Sequence, residues 1–239
     1  MIRADRHLSQ VYQKAKAEQA RRDIQTAPAY ATRIRDGIYH PDEGTFQDAY
    51  KVLDILELPS KTKESAFEVL NRTIWTNNKA HKSGLIDSPC CEKCEETETM
   101  EHLLHGCENY STLLWAELST AITITLQTTI GHAIAEIHLT PRETVFNAPH
   151  PSIMLHVLDK TSRLTLIMLI QEVRRNIIYR RMNRTERDRT PTPLIRLQAH
   201  LLSTINKLIS YMGYQGISTQ QNATQLLRTL QQTITGRIE

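Results

Sequence analysis

The chain has 239 residues, of which 40% are hydrophobic and only 5% aromatic, with 8 glycines and 9 prolines. Sheet proteins use more aromatic residues and more turn glycines, so this composition favours a helical protein of one large or two modest domains. The formal net charge of +3 is too small to indicate a partner by itself.

No segment has the pattern of an export signal or of a membrane span. Residues 1–23, MIRADRHLSQVYQKAKAEQARRD, are charged where a signal peptide would be apolar. The longest apolar run, LTLIMLI at 164–170, falls far short of the roughly 20 residues that cross a bilayer. We therefore expect an intracellular protein, in the nucleus or the cytoplasm, that does not associate with membranes.

Helical periodicity is present in most of the first third of the chain. Residues 5–24 are charged and alanine-rich with few apolar anchors, which predicts a loosely attached arm. Residues 45–57 and 62–79 carry apolar side chains at helical spacing, with Leu70 and Ile74 on one face of the second segment. These segments are predicted to be helices.

Four more helices are predicted after residue 140. The sequence TPRE at 140–143 is typical of a capping box, which begins a helix. A long helix is predicted from about 160 to about 184, and its first half is apolar on nearly all sides, as in the central helix of a bundle. RTPTP at 189–193 must end that helix. Two helices follow, at about 193–212 and 219–235, the second with a possible capping box formed by Ser218 and Gln221.

All four cysteines fall within residues 90–107, CCEKCEETETMEHLLHGC. In a reducing compartment, clustered thiols are more often metal ligands than disulfides. The spacing is Cys91-x2-Cys94-x7-His102-x4-Cys107, and Cys-x2-Cys is the interval at which a tight turn brings two sulfurs to one metal. Three thiolates and one imidazole favour zinc over harder metals. The sequence therefore predicts a Zn²⁺ site with these four ligands.

Two neighbouring residues are alternative ligands. Cys90 in place of Cys91 would leave three residues rather than two before Cys94, and His105 in place of His102 would lie only two positions before Cys107. We interpret Cys90 and His105 as bystanders. The remaining alternative is that all of these residues are ordinary buried thiols and helical histidines.

These patterns together predict a mainly α protein, a helical bundle with a small zinc knuckle inserted between helices. Three parts are expected: an N-terminal helical arm at 1–60, a zinc-knuckle domain at 61–126 and a C-terminal helical bundle at 127–239. Strand signals are few, since the alternating AITITL at 121–126 stands at the end of a helical pattern.

Extended on both sides, the cysteine segment has a longer pattern. It reads F-x2-L-x-R-T-I-W-T-x2-K-x-H-K-S-G, and then C-x2-C-x3-E-T-M-E-H-L-L-x2-C-x7-W. This pattern resembles the zinc-binding domain near the C-terminus of non-LTR retrotransposon reverse transcriptases, over about residues 64–118. The matching positions are Phe67, Leu70, Trp75, Cys91, Cys94, Glu98, Glu101, His102, Leu103, Cys107 and Trp115.

The resemblance does not extend to catalytic motifs. No aromatic residue is followed by x-Asp-Asp, and the one Pro-Asp pair, Pro41-Asp42, precedes the knuckle, whereas an endonuclease in such relatives follows it. The resemblance therefore implies a zinc-bearing tail or its descendant, and we expect no enzymatic activity.

The charge around the cysteines indicates a structural zinc. Residues 87–101 contain six carboxylates and one lysine, Lys93, a net charge of −5 that would repel phosphate. We expect the zinc to clamp the helix that bears Trp75 to the helix that bears Trp115, with both tryptophans in the core.

A basic segment near residue 180 is a better candidate for nucleic-acid contact than the acidic cysteine loop. Residues 174–189, RRNIIYRRMNRTERDR, hold seven arginines and two carboxylates, a net charge of +5. Arginine suits phosphate and can stack on bases, so we expect the end of the long helix to leave the bundle and contact nucleic acid. The predicted contacts are Arg174, Arg175, Tyr179, Arg180, Arg181, Arg184 and Arg187. The alternative is a solvated helix terminus whose arginines pair with nearby carboxylates.

Two functions follow from these features. The first is a non-catalytic, zinc-containing accessory module that binds RNA or DNA through its arginines, with a reverse transcriptase or another protein as a further partner. The second is a helical interaction scaffold that keeps the structural zinc and binds no nucleic acid.

Overall fold

The protein is mainly α, as the composition and the periodicity predicted. The computed structural model describes residues 58–145, 153, 158–182, 194–214 and 221–237. Within these ranges there is no strand, and an isolated antiparallel bridge joins Cys90 to Thr97. The predicted helices at 5–24 and 45–57 lie outside the described residues, as does Ser218 of the predicted capping box.

Seven α-helices and one π-helical turn form the described part of the chain. The helices are α1 Ser60–Leu70, α2 Asn77–Lys82, α3 Ser111–Ile130, α4 Pro141–Thr144, α5 Lys160–Met182, α6 Leu194–Tyr214 and α7 Gln221–Thr235. The π-helical turn, His102–Gly106, lies between α2 and α3. None of the described helices is long and apolar enough to cross a membrane.

Four long helices, α3, α5, α6 and α7, pack against one another as the bundle. α3 and α5 each contact α6 and α7, while α1 and the π-helical turn pack on α5. Every residue from 165 to 174 is buried, which confirms the prediction of a central helix. Each fully buried Leu or Ile side chain contributes roughly 1.5–3 kcal/mol relative to an exposed one. Fully or almost fully buried examples are Leu118, Ile122, Leu166, Leu169, Leu201, Ile205, Leu227 and Leu230.

The predicted helix at 62–79 is wrong as a single element, because it is broken between α1 and α2. Asn71 ends α1 and its side-chain amide donates to the Phe67 carbonyl at 2.8 Å. Arg72 then takes a left-handed conformation with φ 53°, which an α-helix does not allow. Thr76 caps the next helix by accepting from the Lys79 N–H at 3.4 Å. Asn and Thr compete for backbone hydrogen bonds in this way, and here they end one helix and begin another.

The capping box at 140–143 is present. The Glu143 carboxylate accepts from the Thr140 backbone N–H at 2.7 Å and from its hydroxyl at 2.5 Å. Pro141 is the first residue of the short helix α4. Thr144, at the end of α4, contacts the π-helical turn through His105.

The described residues belong to one compact unit, Pro41–Glu239. Helix α3 runs through residues 126 and 127, where the second and third predicted parts meet. The predicted arm at 1–60 lies outside the described residues except for its last three positions.

Candidate metal centre

A tight turn brings Cys91 and Cys94, the first two predicted ligands, close together. The Cys91 N–H donates to the Glu96 carbonyl at 2.6 Å, and the Glu95 N–H donates to the Cys91 carbonyl at 2.9 Å. Glu95 is left-handed, with φ 64°, and this reverses the chain within the loop. The Lys93 N–H points to the Cys91 sulfur at 3.5 Å. Both cysteine side chains are therefore held on one side of the loop.

The π-helical turn and the residue after it provide the other two predicted ligands, His102 and Cys107. In an α-helix, residues five apart lie about 140° apart around the axis, since 3.6 residues complete a turn. Here the Cys107 N–H donates to the His102 carbonyl at 2.8 Å, five residues back, which widens the turn. Thr99 accepts from the His102 N–H at 3.1 Å at the start of this segment. The wider turn places His102 and Cys107 on the same side.

The four predicted ligands converge. One ligand atom from each of Cys91, Cys94, His102 and Cys107 lies within 4.8 Å of the other three. The Cys91–Cys107 and Cys94–Cys107 sulfur pairs are each 3.9 Å apart, and the Cys94 sulfur lies 3.2 Å from His102 Nε2. A Zn–S bond of about 2.3 Å gives a tetrahedral S···S edge of about 3.8 Å, so these sulfur separations suit a single central cation. The cluster can hold a metal ion.

The ligand groups perturb one another's protonation. Hydrogen bonding with Cys107 lowers the pKa of the Cys91 thiol to about 3, and the same contact, with burial, raises the pKa of Cys107 well above its usual range. Burial raises the pKa of Cys94, and the hydrogen bond to Cys91 raises the pKa of His102. Three sulfurs this close cannot all ionise without compensation. A bound cation would supply the compensating charge.

A carboxylate orients the histidine. His102 Nδ1 lies 3.2 Å from the Glu96 carboxylate, so the other ring nitrogen, Nε2, faces the sulfurs. Metal-bound histidines commonly bond a carboxylate in this way, and the contact fixes the tautomer that can bind a metal.

The two alternative ligands lie outside the cluster. Cys90 is half-buried, and its carbonyl accepts from the Asn77 side chain at 2.6 Å. His105 turns away, with Nδ1 2.9 Å from the Thr144 hydroxyl on α4, and burial lowers the pKa of His105. The interpretation of both as bystanders agrees with this placement.

A junction of three residues ties the knuckle to the bundle, and sequence reasoning missed it. The Glu98 side chain is fully buried and accepts from the Asn77 N–H at 3.0 Å and from Arg181 Nε at 2.8 Å. Arg181 also donates to the Asn77 side-chain carbonyl. We name Asn77, Glu98 and Arg181 the knuckle junction. Neither the charge run at 174–189 nor the acidic loop at 87–101 indicates by itself that Glu98 and Arg181 meet, because the two residues are far apart in sequence.

The junction changes the charge balance of the acidic loop. Glu98 is paired with Arg181, and Glu101 is paired with Arg72 at 3.0 Å. Glu96 contacts His102. Glu96, Glu98 and Glu101 therefore have cationic or imidazole partners, and the net charge of −5 overstates the repulsion that this loop exerts.

The predicted nucleic-acid contacts differ in their exposure and in their partners. The prediction that Arg174 contacts nucleic acid is wrong, because only 1% of this residue is exposed. Its guanidinium donates to the Val145 carbonyl at 3.1 Å, and burial lowers its pKa to about 9. Arg181 is held in the knuckle junction, so the described end of α5 lies against the knuckle instead of leaving the bundle. Arg175 is half-buried, 3.1 Å from Glu172. Tyr179 and Arg180 are exposed. Arg184 and Arg187 lie outside the described residues.

The two tryptophans differ. Trp115 is buried on α3, as predicted, and its ring N–H donates to the Leu104 carbonyl at 2.6 Å. Trp75 is 60% exposed, in the segment between α1 and α2, so its prediction as a helical core residue is wrong. The break at Arg72 is the reason, because it turns the chain before Trp75 can continue the buried face of α1.

Four protein ligands would complete the tetrahedral coordination of a metal ion and leave no position open for a substrate, which is the arrangement of a structural site.

Comparisons with known proteins do not assign the chain to a family. No family model, no curated protein and no solved structure matches the chain.

Proposed function

We propose that the cluster of Cys91, Cys94, His102 and Cys107 holds one structural Zn²⁺. We propose further that the protein is a non-catalytic module that binds nucleic acid through the basic end of α5, similar to the C-terminal part of a retrotransposon reverse transcriptase. The observation that carries the proposal is the knuckle junction, because it couples the metal site to the helix that bears the exposed cations.

Zinc is favoured by the donor set. Three sulfurs and one imidazole nitrogen form a common ligand set of structural zinc sites, whereas calcium and magnesium prefer oxygen. The orienting contact from Glu96 to His102 belongs to the same arrangement.

The structural role follows from what the cluster joins. Cys107 precedes α3, and its N–H donates to the Ser111 hydroxyl at 3.1 Å in the first turn of that helix. Glu98, four residues after Cys94, reaches both α2 and α5. The knuckle is therefore joined to three helices, and a cation in the cluster would fix the shape of the knuckle that makes these contacts. Binding of structural zinc is worth about 10–16 kcal/mol, comparable with the whole stability of a domain.

Nucleic-acid binding is supported by the exposed residues at the end of α5. Tyr179 is 60% exposed and Arg180 is exposed beside it, a combination that suits base stacking and phosphate contact. The sequence places Arg184 and Arg187 just beyond them. Because Arg181 is paired with Glu98, Arg180 is the exposed cation at the described end of α5 that can contact phosphate.

The metal is tested by elemental analysis of the purified full chain. One zinc per chain is expected for the wild type and for Cys90→Ser, and none for Cys94→Ser. Chelation should unfold the described helices, measured by circular dichroism. A metal-free preparation with an unchanged melting curve would refute the structural role.

Nucleic-acid binding is tested by fluorescence anisotropy with labelled RNA and DNA oligonucleotides. The variant with Arg180, Arg184 and Arg187 changed to glutamate should lose affinity and most of its salt dependence. Glutamate at Lys160, Arg196 and Arg228, three exposed positions elsewhere on the helices, is the control of equal charge change and should retain affinity. If the wild type binds neither polymer at 50 mM salt, nucleic-acid binding is refuted.

A scaffold function is the second candidate, and one observation favours it. Trp75, Leu85 and Ile86 flank α2 and are 60%, 68% and 39% exposed. Large apolar side chains in this number on a short segment are typical of protein contacts. Under this alternative Trp75→Ser would abolish capture of a protein partner, and the arginine variant would have no effect on any interaction.

A further inference from the structure

A pocket of about 250 Å³ lies between three helices, away from the metal cluster. It opens at the first turn of α1 and is bounded by the middle of α5 and the second half of α6. The side chains that give it its chemical character are Lys61, Glu172, Arg175, Lys207 and Tyr211.

The pocket carries an excess of positive charge. Each of the three helices contributes one cation, Lys61 from α1, Arg175 from α5 and Lys207 from α6. The one carboxylate that lines it, Glu172, accepts from the Thr62 hydroxyl and from Arg175 Nε at 3.1 Å. That pair uses one of the five guanidinium N–H donors of the arginine. The lysines on either side add two charges, which makes the pocket suited to an anion.

Size and surroundings indicate which anion. Pockets for drug-sized molecules and cofactors run from about 300 to 1,000 Å³, so a pocket of this volume suits a single phosphate group better than a whole nucleotide. Tyr179 is four residues after Arg175 and therefore on the same face of α5, about 6 Å further along the axis. The exposed Arg180 follows directly.

We infer that this pocket receives one backbone phosphate of the bound nucleic acid. The interface then runs along α5 from Lys61, Arg175 and Lys207 to Tyr179 and Arg180. The inference rests on the proposed nucleic-acid binding and extends it to a second contact region. Lys61 and Lys207 have no part in the metal site.

The test compares two double variants of equal charge in the full zinc-loaded chain. Lys61→Ala with Lys207→Ala removes the two pocket lysines and leaves Arg175 with Glu172, while Lys160→Ala with Arg228→Ala removes two exposed cations elsewhere. Affinity for a labelled single-stranded RNA is measured by anisotropy between 50 and 200 mM salt. Each lost phosphate contact lowers the slope of log K against log salt by about 0.7, so loss of the one phosphate in the pocket should lower the slope by about 0.7, and the control variant should change it much less. Restoring the charge with Lys61→Arg and Lys207→Arg should recover the slope.

The outcomes separate this inference from the proposed function. If the wild type and the control bind RNA, the arginine variant of α5 does not, and the pocket variant matches the control, the pocket assignment is overturned while nucleic-acid binding stands. If the wild type binds no nucleic acid, both are overturned. A site for free phosphate instead would raise the melting temperature in phosphate over chloride at equal ionic strength, with no change in RNA affinity for the pocket variant. That result would also overturn the inference.

Discussion

Replacing Arg181 with methionine should destabilise the protein much more than the same change at the neighbouring Arg180. Glu98 is fully buried and has Arg181 Nε at 2.8 Å as its cationic partner. Removing one partner of a buried ion pair costs about 3–5 kcal/mol, because the other charge stays buried without compensation. The Arg181 side chain is 22% exposed, so water can reach the site and the lower figure applies.

The expected loss is therefore about 3 kcal/mol, which for a chain of this size lowers the melting temperature by roughly 6–12 °C. Glu98→Gln should cost less, since the amide still accepts from the Asn77 N–H and the arginine it leaves is partly hydrated. The double variant should cost less than the sum of the two, because neither charge is then left alone.

The assay is guanidinium chloride unfolding of the zinc-loaded protein, followed by circular dichroism, for the wild type, both single variants and the double variant. Arg180→Met is the matched control: it is the neighbouring exposed arginine and should change stability by less than about 0.5 kcal/mol. Zinc transfer to a coloured chelator should be faster in Arg181→Met than in this control. Equal stability of Arg181→Met and Arg180→Met, or strict additivity in the cycle, would refute the coupling of the knuckle to α5.

Three further predictions concern the cluster and its surroundings. Glu96→Gln should weaken zinc binding about 10–100-fold in a chelator competition, because Glu96 contacts His102. Glu95→Gln is the control and should leave the affinity unchanged. Equal affinities of the two variants would contradict the orienting role of Glu96. His105→Ala should retain one zinc per chain and lose about 1 kcal/mol of stability with its hydrogen bond to α4, whereas loss of metal would make it a ligand. Trp115→Phe should destabilise the protein by about 1–3 kcal/mol by leaving a buried carbonyl without its donor. Trp75→Phe should have little effect on stability, and acrylamide should quench the fluorescence of Trp75 and not that of Trp115; equal quenching would contradict their different exposure.

The bundle helices were predictable because their periodic patterns are long. α5 was expected from about 160 to 184 and runs from Lys160 to Met182, and the buried stretch at 165–174 matches its apolar character. The segment at 62–79 was not predictable in the same way. Its apolar spacing is helical throughout, and only the side chain of Asn71 and the left-handed Arg72 show that the chain turns.

The residues predicted to contact nucleic acid show that a local charge pattern does not predict the exposure of each side chain. Arg174 and Arg180 belong to the same basic run, yet Arg174 is buried and donates to the Val145 carbonyl, whereas Arg180 is exposed. A charge run indicates that a surface is basic only if each side chain reaches that surface. Packing on both sides of α5 decides this, and the packing partners are far away in sequence.

The sequence by itself determined the helical class and the four residues of the candidate metal cluster. These four lie within 17 consecutive residues, where a tight loop and one widened helical turn fix their spacing, so distant contacts are not needed to bring them together. The tertiary structure decided the role of Glu98 and Arg181, which are 83 positions apart, and the exposure of Trp75. The physical reason is that chain geometry sets separations over a few residues, whereas burial and charge pairing depend on which helices meet.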